Sequence, residues 1–83
     1  MRIDRIYASA AAEEHMRAKH GVTWPEAEQA LRNADSVRRG RTVQGQRRYK
    51  ATGCTDDGRP LAVIFAVEAR YTARVITAFE ERR

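Results

Sequence analysis

The chain has little of what several common functional sites require. It contains one cysteine, Cys54, so neither an intrachain disulfide nor a cysteine-based metal site can form. No apolar run approaches the roughly 18 residues of a membrane span. The glycine patterns of dinucleotide and phosphate-binding loops are absent, and acidic residues interrupt the N-terminal segment that could otherwise mimic a signal peptide. We therefore expect one cytoplasmic domain over residues 1–83 with no membrane contact and no cofactor.

The two histidines, His15 and His20, do not predict a metal site. They are five residues apart in the sequence, which on a helix separates their side chains by about 140° around the axis. We therefore expect that they do not converge on one ion, and that the chain holds no metal.

The charge of the chain is unevenly distributed. Sixteen Lys and Arg against eleven Asp and Glu give a formal net charge of +5. Six of the cations lie between residues 38 and 50, a segment without any acid. Such a patch suits a polyanion, and nucleic acid is the usual one for a cytoplasmic domain. The alternative interpretations are a solvated loop and a contact for an acidic protein.

The first half of the chain predicts two helices. Residues 9–20 are rich in strong helix formers, with the first residue, a serine, as the N-cap and Gly21 as a left-handed terminator. Thr23 and Glu26 have the spacing of a capping box that opens a second helix. That helix presents an apolar face, on which we expect Trp24 to anchor the core.

The second half predicts strands. Arg48 and Lys50 alternate with apolar residues, so they lie on the same side of a strand. Asp57 and Gly58 form the strongest hairpin signal, and the run LAVIFAV is apolar on both sides, as expected of a central strand. We predict an α+β fold in which two N-terminal helices pack on a three- to four-stranded antiparallel sheet.

A set of basic and acidic side chains could act on RNA. Cleavage without a metal requires a proton acceptor, a proton donor and cations that stabilise the charged phosphorane. The candidate proton-transfer groups are His20, His15 and Glu68. The candidate phosphate-binding cations are Lys19, Arg47, Arg48, Lys50 and Arg74. Structural interpretations remain open, because His20 suits the negative end of a helix and Glu68 could solvate a turn.

Three segments together resemble the BrnT-type toxins of bacterial type II toxin–antitoxin modules, which have a RelE-like fold. The segments are EHMRAKHGVTWPEAEQAL, RRYKATGCTDDGRPLAVIF and ARVITAFEERR. The family has, in the same order, a K/R-H-G-V helix joint, a glycine-bearing strand, a D-G-R-x-L hairpin and a closing R-V-I-S/T-A strand. The resemblance extends from Glu14 to the C-terminus.

The resemblance implies a ribonuclease that blocks translation and a cognate antitoxin protein that binds it. The family's K-H-G step matches Lys19, His20 and Gly21. The basic residue before the glycine-bearing strand end matches Arg48, and the arginine of the closing strand matches Arg74. On this resemblance the function is metal-independent cleavage of RNA. The alternative is a catalytically silent basic module that binds nucleic acid or an acidic protein, and the oligomeric state stays open.

The chain departs from the family pattern at two places, so the resemblance is to a divergent member. Many relatives open with W-D-x-x-K and have an asparagine before K-H-G, where this chain has Ala8, Ser9, Ala12 and Met16. The family tends to follow I-S/T-A with arginine, where this chain has Phe79.

Overall fold

Two helices and five strands make up residues 1–81, the part of the chain that the computed structural model describes. The elements are β1 (Arg5–Tyr7), α1 (Ala10–His20), α2 (Trp24–Arg32), β2 (Ser36–Val43), β3 (Gln46–Cys54), β4 (Pro60–Glu68) and β5 (Thr72–Glu80). In the sheet the strands lie in the order β1-β5-β4-β3-β2, which makes β4 the central strand, as predicted. Within residues 1–81, neither helix has the length and apolarity needed to cross a bilayer.

The sheet differs from the predicted one by an additional parallel strand. Strands β2 to β5 pair antiparallel in succession, as expected. Strand β1 pairs in parallel with the start of β5 and places Tyr7 opposite Arg74. The α+β class is confirmed, but the prediction of three to four antiparallel strands was wrong. Because β1 is only three residues long and its partner is the last strand of the chain, no local pattern marks this pairing.

Both helices begin where the local sequence predicts. The side chain of Ser9 accepts a hydrogen bond from the amide of Ala12 at 3.1 Å, and Gly21 ends α1 with a φ of 65°. At the start of α2, the Thr23 amide donates to the Glu26 carboxylate at 3.0 Å, and the Glu26 amide donates back to the Thr23 hydroxyl. These bonds satisfy amides that a helix leaves unpaired at its first turn.

The two helices pack on one face of the sheet and enclose the core there. The α2–β3 contact is close at Gly53, where a Cβ would collide with the carbonyl oxygen of Ala30 and lie 2.9 Å from the Cα of Ala34. Only glycine therefore fits at this position of β3. The largest fully buried side chains are Phe65, Met16, Leu61, Val22, Val63 and Val75. Half-buried Trp24 packs against this cluster, as the sequence predicts.

Candidate nucleic-acid interface

The face of the sheet opposite the helices carries a group of cations. Side chains alternate along a strand, so Arg48 and Lys50 share one face while Ala51 contributes to the core on the other. The strand register sets Arg48 opposite Ala66, and Ala66 opposite Arg74. The side chains of Arg48, Lys50 and Arg74 therefore leave the sheet on the same side, which we call the cationic face.

Arg48 and Arg74 flank the small side chain of Ala66. Because neighbouring strands are about 4.8 Å apart, the Cα atoms of the two arginines lie about 10 Å apart across β4. Ala66 is fully buried but does not belong to the core cluster on the helix side. The methyl group of Ala66 is therefore covered, and Arg74 extends across β4 to Gln46. A phosphate group could contact the two guanidinium groups above this covered position.

A hydrogen-bonded chain surrounds Glu68 at the end of β4. The Tyr7 hydroxyl donates to Glu68 Oε1 at 2.6 Å, and Arg74 Nε donates to Glu68 Oε2 at 3.0 Å. Arg74 Nη2 also donates to Gln46 Oε1 at 2.6 Å, which ties β5 to β3 across β4. A carboxylate has about four lone-pair positions, so Glu68 can still accept a further hydrogen bond.

These contacts keep the Glu68 carboxylate ionised. The hydrogen bond from Tyr7, and then the hydrogen bond and positive charge of Arg74, hold the pKa of Glu68 below its ordinary value against the opposing effect of partial burial. The same hydrogen bond raises the pKa of Tyr7, because the phenol must keep its proton to donate it. At neutral pH the pair is a carboxylate and a neutral phenol, so Glu68 has no proton to donate and can accept one, although its lowered pKa makes it a weaker base than an ordinary glutamate.

The three cations of this face that the sequence singled out differ in their partners. A fourth cation, Arg38, lies opposite Lys50 in β2 and leaves the sheet on the same side. Lys50 Nζ lies 2.7 Å from Glu81 Oε1, and the other oxygen of Glu81 accepts from the Thr52 hydroxyl at 3.3 Å. Arg74 is bound to Glu68, as described above. The guanidinium of Arg48 meets no hydrogen-bonding or ionic partner within residues 1–81. Arg38, which is exposed on the same face, likewise meets no such partner there, so Arg48 and Arg38 have the most capacity to bind an added anion.

Two of the candidate phosphate-binding cations lie away from the cationic face. Arg47 follows β3 immediately before Arg48, so its side chain leaves the opposite side of the sheet. Its guanidinium donates to the carbonyl oxygen of Gly40 at 3.4 Å. Lys19 is exposed near the end of α1 in the helix layer.

The two histidines lie together near the far end of β5. Their ring centroids are 5.6 Å apart in an edge-on arrangement, so the two rings are closer than a separation of about 140° around the helix axis suggests. His20 is the last residue of α1, and its ring also lies 5.8 Å from that of Phe79. Within residues 1–81, no group of three or more His, Cys, Asp or Glu side chains is arranged to hold a metal ion.

The histidines and Glu68 are not brought together. Phe79, beside His20, follows Arg74 by five residues in β5, which is about 16 Å along an extended strand. Arg74 holds Glu68, so the candidate proton-transfer groups form two separate clusters at opposite ends of the same strand.

Two members of the Glu68 cluster are absent from the residues that the sequence singled out. Gln46 lies two residues before Arg48 in β3, so the alternation that pairs Arg48 with Lys50 also assigns it to the cationic face. No comparable signal marks Tyr7, because its contact with Glu68 depends on the parallel pairing of β1 with β5.

No protein-family model matches the chain, and no curated protein matches it by sequence. Among solved structures, it is similar to the crystal structure of the Brucella abortus ribonuclease toxin BrnT. The TM-score is 0.70 and the sequence identity is 22%, and the alignment covers 95% of this chain and 97% of that one. The likeness extends over nearly the whole domain, and it confirms, at the level of the fold, the resemblance to BrnT-type toxins.

Proposed function

We propose that this protein is a ribonuclease toxin of a type II toxin–antitoxin module and that it cleaves RNA on the cationic face. The observation that carries the proposal is the row formed by Arg48, Ala66 and Arg74, with the ionised Glu68 bonded to Arg74. The fold shared with a protein described as a ribonuclease toxin supports it. The proposal includes a cognate antitoxin as partner, as the resemblance implies.

The cluster can supply the chemistry of RNA cleavage by transesterification. Glu68 accepts the proton of a ribose 2′-hydroxyl, whose oxygen then attacks the adjacent phosphorus. The bond from phosphorus to the 5′-oxygen breaks, and that oxygen takes a proton from water. The products are a 2′,3′-cyclic phosphate and a 5′-hydroxyl.

The cations act on the charge that develops in this reaction. The guanidinium groups of Arg48 and Arg74 stabilise the added negative charge of the phosphorane, a role that a metal ion fills in other nucleases. Lys50, which is bound to Glu81, lies two residue pairs further along the sheet and contacts a neighbouring phosphate. In this mechanism Glu68 transfers the proton, and His15 and His20 lie too far from Arg74 to act on the same phosphate.

One observation favours the alternative of a silent binding module. Arg74 and Lys50 each already hold a carboxylate, at 3.0 and 2.7 Å, so part of the charge on the cationic face is neutralised within the protein. A module of this kind would bind RNA with strong salt dependence and release no product.

The test is RNA cleavage by purified protein in the presence of a chelator, together with growth on expression. We expect the wild-type protein to degrade RNA to fragments with cyclic phosphate ends and to arrest growth. Arg48→Ala and Arg74→Ala should each lower the cleavage rate by about 100-fold or more, as expected for loss of a group that stabilises transition-state charge. The matched control is Arg32→Ala, an exposed arginine that is ion-paired with Glu28 on the helix side.

The outcomes separate the two functions. Intact RNA and normal growth with folded wild-type protein would contradict the ribonuclease proposal. Binding of RNA without products, weakened by Arg48→Ala, would instead establish the silent module. Equal losses in Arg32→Ala and Arg74→Ala would show that net charge, rather than the cationic face, is responsible.

A further inference from the structure

The hairpin formed by β2 and β3 carries positive charge beyond the cationic face. The strands meet at Gln44 and Gly45, whose φ values of 50° and 77° are those of a tight type I′ turn. Residues 36–55 contain no acid. Arg48, Lys50 and Arg38, which lies opposite Lys50, belong to this hairpin. It also presents three arginines nearer its tip, which we call the hairpin cations: Arg39, Arg41 and Arg47.

The hairpin cations have no acidic partners in the described chain. The seven ion pairs within residues 1–81 involve none of them. Arg47 donates only to the carbonyl oxygen of Gly40, whereas Arg39 and Arg41 are exposed and meet no side-chain partner in that part of the chain. Like charges on neighbouring strands repel one another, so a polyanion that contacts them all is attracted to this tip.

The hairpin cations continue the positive surface around the outer edge of the sheet. Arg39 lies opposite Tyr49, and Arg47 adjoins Arg48, so both side chains leave the sheet on the side away from the cationic face. Strand β2 is the edge strand. It runs so close along β3 that a Cβ at Gly40 would lie only 3.2 Å from the carbonyl oxygen of Arg48.

We propose that the hairpin cations bind the phosphates of an RNA strand that leaves the cationic face and passes around this edge. The inference rests on the proposed function, because it takes the strand on the cationic face to be RNA. It adds a length preference to the proposed function, because a protein that also binds RNA through the hairpin cations prefers an RNA longer than the cationic face alone can hold. Charge on an edge strand also prevents pairing with other sheets, a role that needs no ligand.

The test measures binding of fully 2′-O-methylated RNA, which lacks the attacking hydroxyl and is not cleaved. Two lengths are compared, about 4 and about 16 nucleotides, which span the usual range of single-strand sites. The variant replaces all three hairpin cations: Arg39→Gln, Arg41→Gln and Arg47→Gln. The control is Arg2→Gln, Arg17→Gln and Arg32→Gln, three exposed arginines elsewhere. Each triple variant lowers the net charge of +5 by three.

We expect the hairpin variant to lose affinity for the longer RNA alone. Each lost phosphate contact on a single strand lowers the slope of log affinity against log salt by about 0.7, so three lost contacts should lower it by about 2. Binding of the shorter RNA should match that of the control. A charge-conserving variant with lysine at the same three positions should keep the wild-type slope.

Each other result overturns the inference. If the hairpin and control variants bind the longer RNA equally, RNA binding on the cationic face stands and the hairpin cations serve edge protection or an acidic protein. If the hairpin variant loses affinity equally for both RNA lengths, the hairpin cations do not form a contact separate from that of the cationic face. If wild-type protein binds neither RNA, the proposed function fails as well. Thermal unfolding checks that all variants are folded, and the lysine variant tests the same positions with least perturbation.

Discussion

The two ends of β5 present different chemistry on neighbouring parts of the same sheet. At its start, Arg74 lies between Glu68 and Gln46, with Tyr7 completing a chain of short hydrogen bonds. At its end, Phe79 packs beside His20, whose ring meets that of His15. The first cluster holds an ionised carboxylate among cations, whereas the second holds two imidazoles and an aromatic ring.

Residue type alone does not distinguish these two clusters as candidates for proton transfer. Histidine is the most frequent proton-transfer residue in enzymes, which makes His15 and His20 attractive candidates. A phosphoryl reaction also needs cations within contact distance. Both ends of β5 have cations nearby, but near the histidine end Arg59 and Lys50 are each bound to carboxylates, whereas Arg48, near the start, has no carboxylate partner within residues 1–81. Phe79 itself adds no charge beside His20.

The largest effect that this comparison predicts is that of removing the proton acceptor. Glu68→Gln keeps the shape of the side chain and abolishes its basicity, so the rate of RNA cleavage should fall by about 100-fold or more. The control is Glu28→Gln, a carboxylate of similar exposure in a helix ion pair. Cleavage assays with matched amounts of folded protein measure both, and a loss below tenfold at Glu68 would contradict the assignment.

Displacing the arginine side chains that flank Ala66 should have the next largest effect. Ala66→Leu introduces a branched side chain between Arg48 and Arg74, and we expect cleavage to slow by about tenfold, equivalent to about 1.4 kcal/mol of transition-state stabilisation. Ala62→Leu is the matched control, since Ala62 is equally buried on the same strand and face but lies opposite Phe79. A greater loss of cleavage rate in Ala62→Leu than in Ala66→Leu would instead favour catalysis near the histidines.

The pH dependence of cleavage should shift without the Tyr7 hydroxyl. Glu68 acts in its ionised form, so activity falls as the pH drops through the pKa of Glu68, which lies below the ordinary value. Tyr7→Phe removes the hydrogen bond that lowers this pKa most, so the acid limb should move to higher pH. Tyr71→Phe, at an exposed tyrosine, should leave the profile unchanged. If the acid limb of Tyr7→Phe stays at the same pH as that of the wild-type protein, the ionisation of Glu68 does not control the cleavage rate.

Changing the histidines should have the smallest effect. His20→Gln and His15→Gln should each alter the cleavage rate by no more than about twofold, which corresponds to less than about 0.5 kcal/mol. Rates measured at several pH values provide the check. A loss of 100-fold in His20→Gln would place proton transfer at the histidine end and refute the comparison above.

Local patterns predicted the elements of this fold better than their arrangement. Alternation along β3 correctly places Arg48 and Lys50 on one face, and the capping box of Thr23 and Glu26 correctly begins α2. The parallel pairing of β1 was missed, because three residues are too few to show a period. For the same reason Tyr7 was not identified as a candidate site residue, although its hydroxyl donates to Glu68 in β4.

The site could be predicted only as a set of candidates. Whether a histidine on α1 meets Glu68 depends on how that helix lies along β5, which is decided by tertiary packing. The spacing of His15 and His20 in α1 predicts the direction of each side chain from the axis but not how far the rings extend toward each other, and their centroids are 5.6 Å apart.

The most direct test of RNA binding on the cationic face is a titration of isotope-labelled protein with a short 2′-O-methylated RNA, followed by amide chemical shifts. We predict that the largest changes fall on the row formed by Arg48, Ala66 and Arg74. Changes centred on His20 and Phe79, or on the exposed side of α1 and α2, would contradict the account.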